Sequence, residues 1–227
     1  LWWLAGALCI LVAGAPILGA QQANDDVAGL VKDTAEPVPA RDAATPPTEL
    51  VFFSQHRMTE RAWYALFAAL RASLPDAAAE IPALDARAEL VRGDALPHGA
   101  PQPRAVVVYL HGDCIPSPLR ESFSAGARLG WVVKVGPMIQ PVIHVECTAI
   151  GEELSMKTER MDRDERTAAM SQGLARVILH EWAHIATQSG AHGAKGVTKA
   201  RFGVDDLLAN GLALTEHDAG SSGGGRR

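Results

Sequence analysis

The sequence predicts an α+β fold, with a small mixed sheet of about five strands, a backing helix, and a long second helix carrying HEWAH at 180–184. Three observations predict it. Short β-branched or apolar runs of strand length recur: ELVFFS (49–54), RAVVVYLHG (104–112), WVVKV (131–135) and IQPVIHVEC (139–147). A helical period follows the first of them, and a longer helical stretch, ARVILHEWAHIATQ (175–188), follows the last.

Taken in order, ELVFFS opens the folded unit as a strand. Thr59 then caps a helix in which Trp63, Leu66, Phe67 and Leu70 recur at three- and four-residue steps, and Pro75 is expected to end it because proline has no N–H to donate. ARAEL (86–90) alternates weakly, and RAVVVYLHG is a clear strand. WVVKV and IQPVIHVEC, joined across Gly136 and Pro137, read as a hairpin. Alternation along the second of these puts Val142, His144 and Glu146 on one face, and Ile143, Val145 and Cys147 on the other. His144 is thereby a candidate for the rim of a cleft, with His111 and Asp113 equally ambiguous. A short helical piece around GEELSM (151–156) and a charged start, MDRDER (161–166), lead into the long helix. There Met170, Leu174, Val177, Ile178 and Ile185 gather on the side that includes Glu181, which predicts an amphipathic helix with its histidines at the border of the apolar stripe.

The 227 residues suit one domain that can bury a core without staples. With 21 Lys+Arg against 26 Asp+Glu, a net charge of -5 and no basic block except the final Arg226 and Arg227, nucleic acid is excluded as the main partner. Residues 1–20 carry no charge and pass through small residues into QQANDD, as a secretory signal peptide does; a membrane anchor is the alternative. Export to a secreted or periplasmic location, with no membrane association after cleavage, is therefore expected. Residues 21–47 are rich in Ala, Pro and Asp and read as a flexible linker or pro-segment, and 216–227 as a disordered tail. The folded domain is thus placed at 48–215, and a monomer is expected. Without the leader, two cysteines remain, Cys114 and Cys147, and an even pair in an oxidising compartment suggests one disulfide. Two buried thiols, or a metal site shared with His111 or His144, are the alternatives.

Residues four apart on a helix lie about 40° apart around its axis, so His180 and His184 project together, one turn apart, as two corners of a tetrahedral metal site. Glu181 lies about 100° from His180, where its carboxylate can stand beside a metal and take a proton from water. A catalytic zinc needs three protein ligands and an open position. His192 supplies the third ligand if Gly190 ends the helix in a left-handed conformation and turns the chain back; Asp205 and Asp206, and Glu216 or His217 farther on, compete for that place, with Asp205 and Glu216 ranked next.

The stretch from residue 49 to about 192 resembles the zincin metallopeptidases, most closely the metzincin-like group, on HEWAH, on the His192 that follows it, and on the order of strand, helix, strands and long helix. With GDC and HVEC upstream it also looks like small exported bacterial zincin-like proteins. The resemblance implies a zincin-like fold, one Zn²⁺ held by His180, His184 and His192, and Glu181 as general base and later acid in hydrolysis of a peptide or protein substrate. In metzincins the third histidine follows the second by six residues; here the gap is eight, and no methionine follows His192. A metal-dependent amidase acting on cell-wall peptides would use the same chemistry, and a non-catalytic exported metal-binding or interaction protein is the reading from another class. Residues 21–47 contain no cysteine that could occupy the zinc.

Overall fold

A computed structural model describes residues 45–96, 104–115 and 128–209. The first twenty residues, most of the 21–47 segment, and Glu216 with the tail lie outside the described residues. Within them the order is β1 (Glu49–Ser54), α1 (Glu60–Glu80), β2 (Glu89–Arg92), β3 (Ala105–His111), β4 (Gly130–Val135), β5 (Met138–Glu146), α2 (Cys147–Thr158), α3 (Arg163–Thr187) and α4 (Val204–Leu208). The five strands form one mixed sheet in the order β2-β1-β3-β5-β4. β1 pairs in parallel with β2 and β3, β3 in parallel with β5, and only β4 runs antiparallel, as the partner of β5 across the Gly136 turn. The α+β class expected from the sequence is thus observed. The antiparallel edge follows from the two-residue link between β4 and β5, which is too short for a parallel crossover.

Alternation along the strands sets the two faces. Leu50 and Phe52 of β1, Val106, Val108 and Leu110 of β3, and Ile143 and Val145 of β5 are buried toward the helices. Phe52 meets Trp63 and Phe67 of α1, with ring centroids 6.4 and 5.1 Å apart. Thr59 caps α1 as its position implies, its hydroxyl accepting from the Ala62 amide. Pro75 does not end that helix, which runs on to Glu80. Leu74 and Ala77 continue the buried face of Leu66 and Leu70, and that burial outweighs the one backbone hydrogen bond the proline forgoes. The second strand, β2, begins later than ARAEL suggests, at Glu89, where its amide donates to the Thr48 carbonyl. Asp85, just before it, is 3 % exposed and accepts from the Thr48 amide and from the Arg87 amide and guanidinium.

The end of β5 also differs from the sequence reading. Cys147 is the first residue of α2, and the piece around GEELSM is a twelve-residue helix that leaves the strand without a loop. Cys114, after β3, is disulfide-bonded to Cys147 with 4.7 Å between their Cα atoms, which ties these neighbouring ends and removes the alternative of a cysteine metal site. α3 starts on a capping box: the Asp162 carboxylate accepts from the amides of Asp164 and Glu165, and Glu165 accepts from the amide of Asp162. Above that start α3 is not amphipathic. Every residue from Gly173 to His184 is buried, because α1, α2, α4, β4, β5 and the 196–198 turn pack around it. Among the described residues no helix is long and apolar enough to cross a membrane.

Candidate metal centre

His180 and His184 project from one side of α3 with perpendicular rings, centroids 4.6 Å apart. Both are buried, at 7 % and 8 % exposure. The His180 Nδ1 lies 2.6 Å from the Val197 carbonyl oxygen and the His184 Nδ1 2.6 Å from that of Ser189. A carbonyl oxygen only accepts, so both Nδ1 atoms carry the hydrogen and donate it. In the neutral rings each Nε2 then holds a lone pair, and the two Nε2 atoms stand 3.1 Å apart. Two acceptors at that distance need a cation or a proton between them. Burial opposes the proton: it draws the His180 pKa down to about 4, against the Val197 carbonyl's support for the charged ring and with the help of His184 and His192.

His192 completes the group. Its ring lies parallel to that of His180 at 5.3 Å and perpendicular to that of His184 at 5.0 Å. One ligand atom from each of the three histidines lies within 4.8 Å of the others, close enough to bind a metal ion. Asp205 is not among them: its carboxylate faces Lys157 Nζ at 3.3 Å on an exposed surface. Glu216 and His217 lie outside the described residues. Three neutral imidazoles suit zinc, copper, iron and nickel, and three ligands leave a tetrahedral ion one further position.

The turn that brings His192 round is not made by Gly190. Gln188 takes the left-handed conformation at the end of α3, with φ 51° and ψ 31°. Its side-chain amide accepts from the Ile139 amide at 2.9 Å and donates to the Ile139 carbonyl at 3.0 Å, so two hydrogen bonds to β5 offset the strain of that conformation in a residue with a Cβ.

Glu181 sits beside the metal group without joining it, its Oε1 4.0 Å from His180 Nε2. It is 6 % exposed, and burial raises its pKa to about 7 against the lowering effect of Arg128. Gly130, the first residue of β4, makes room for it. A Cβ there would come within 2.6 Å of a Val177 methyl and 3.1 Å of the Glu181 carboxylate. Reading the sequence overlooks both Gly130 and Gln188; a glycine directly ahead of a β-branched run was the available signal for close approach at the first, and none marked the second.

The histidines and Glu181 line a cleft of about 660 Å³ between β4 and the 190–202 segment, with Arg128, Trp131, Lys134 and Phe202 on its walls. That is the size of a small-molecule or peptide side-chain pocket. His144 is not part of it. It lies on the sheet face turned away from the core, parallel to Trp131 at 4.9 Å, with its Nδ1 2.8 Å from His111 Nε2. Compared with protein-family models, curated proteins and solved structures, the chain matches none.

Proposed function

We propose that this chain is a zinc metallopeptidase of zincin type that acts on extended peptides. The observation that carries the reading is the pair of buried Nε2 lone pairs 3.1 Å apart, each set by a carbonyl on the other side of its ring, with a buried carboxyl 4.0 Å from one of them. Zinc, when bound there, supplies a Lewis acid that acidifies water and polarises a carbonyl.

The chain's own residues do the rest. His180 and His184 keep their Nε2 atoms aimed at one point because Val197 and Ser189 hold the opposite nitrogens. Glu181, with a pKa near neutrality, takes the proton as the water oxygen attacks the peptide carbon. It passes that proton to the amide nitrogen as the C–N bond breaks, so the amine leaves neutral. β4 is an edge strand and its first residues border the cleft, so an extended peptide laid beside it meets unpaired backbone groups. Three histidines would leave a tetrahedral ion one further position for water or substrate. Export, and the zincin family itself, enter as parts of this proposal.

Cleavage of an unstructured protein such as casein by zinc-loaded protein, with loss of cleavage in Glu181→Gln at unchanged zinc content, is the expected result. Equal cleavage by the variant would remove Glu181 from the chemistry, and a wild-type chain that takes up no metal would end the reading.

A further inference from the structure

The orientation of His180 depends on one backbone carbonyl, that of Val197, in the short turn Gly196–Thr198. A turn of three residues does not hold its own position, so something outside it must. Val197 is fully buried. Its amide donates to Glu80 Oε2 at 3.4 Å, at the C-terminal end of α1. Gly196 adopts φ +64°, and a Cβ there would overlap the same Glu80 carboxylate, so the chain passes directly against that side chain.

Arg176 stands one turn before His180 on the same side of α3 and is only 8 % exposed. A cation buried that far must be matched by charge and hydrogen bonds. Among the described residues, Asp206 of α4 and Glu80 of α1 favour its charge, and its Nη2 donates to the Ala209 carbonyl at 3.2 Å. Asp206 in turn holds Lys199 Nζ at 2.6 Å and accepts from the Gly203 amide at 2.9 Å. One of these carboxylates, Asp206, therefore belongs to the strap from Gly196 to Ala209, and the other, Glu80, to the helix end that the strap passes against.

We propose that Arg176 is a positioning residue: with Glu80 and Asp206 it clamps the 196–209 strap against α1 and α3, and thereby fixes the Val197 carbonyl that sets the tautomer and direction of His180. It touches neither metal nor substrate. The inference rests on the three-histidine site described above, but not on the identity of the metal or on proteolysis.

The test uses the full chain in two forms. In metal-free protein, ¹⁵N–¹H correlation of the His180 ring reads which nitrogen carries the hydrogen; in the second form, zinc affinity is measured by competition with a chromophoric chelator. Arg176→Met, which keeps volume and removes charge, is expected to mix the His180 tautomers and weaken zinc binding about 10- to 100-fold, the range typical of outer partners of a metal ligand. Glu80→Gln and Asp206→Asn should move both readouts the same way by less. Folded Arg176→Met with a wild-type His180 spectrum and wild-type zinc affinity overturns the proposal, as does a variant that loses thermal stability alone. If Arg176→Met does not fold, Glu80→Gln and Asp206→Asn decide by the same criteria. Should the wild type bind no zinc, the functional reading fails while the ring spectra still judge the clamp.

Discussion

Two groups of histidines lie among the described residues, and they differ in the partners of their ring nitrogens. In the cleft, His180 and His184 give their Nδ1 hydrogens to backbone carbonyls, so two Nε2 lone pairs converge 3.1 Å apart. On the outer face of the sheet, His111 Nε2 meets His144 Nδ1 at 2.8 Å, one donating and the other accepting, and Trp131 lies parallel to both rings within 9°. The second pair is chemically complete and the first is not. Proximity of histidines is therefore a poor guide to metal binding; the partner of the far nitrogen decides.

The largest effect that separates the groups is metal content. His180→Ala is expected to weaken zinc binding by more than about 100-fold, since a ligand should matter more than its outer partners, while His111→Ala leaves one zinc per chain in mass spectrometry of the intact protein. Equal loss in both would dissolve the distinction. Next in size is Glu181→Gln, which should lower peptide turnover about 10²- to 10⁴-fold, the usual worth of a general base, with zinc stoichiometry unchanged by titration calorimetry.

A third effect is pH dependence of the metal-free protein. His180 stays neutral in the fold down to about 4, because burial opposes its charge, whereas the unfolded chain takes up that proton near 6.5. Between these values the unfolded state binds more protons at His180, so that group's contribution to stability falls as pH falls from 6.5 toward 4, against the opposite contribution of Glu181, whose pKa burial raises to about 7. Replacing His180 with Gln should raise the thermal stability at pH 5 relative to that at pH 7, compared with the wild type, and an unchanged pH dependence would assign no part of it to His180. The smallest effect belongs to the outer pair. His111→Ala removes one hydrogen bond and one stacked ring, and should lower unfolding free energy in urea by about 1 to 2 kcal/mol. A loss several times larger would give that face a greater part in the fold than its half-buried rings imply.

Much of this comparison was legible before any tertiary structure. The i, i+4 spacing of His180 and His184, the offset of Glu181, the strand faces of β5 and the pairing of Cys114 with Cys147 all follow from local periodicity and from cysteine count. Pro75, Gly190 and the amphipathic reading of α3 misled for one shared reason. Each was a local rule overridden by long-range contacts: the buried Leu74 and Ala77 in α1, the Gln188 side chain on Ile139, and packing on every side of α3.

By itself, the sequence determined which residues could meet along a single helix or strand, because helical and extended backbones have fixed periods: two histidines, the carboxyl beside them, and the faces of the sheet. Only the tertiary structure decided that His192 rather than Asp205 joins the pair, that Val197 and Ser189 take the Nδ1 hydrogens, and that Gly130 gives Glu181 its place. Those decisions need chain segments from different elements to converge to within a few ångströms, and no period in a sequence encodes where a loop carbonyl will stand.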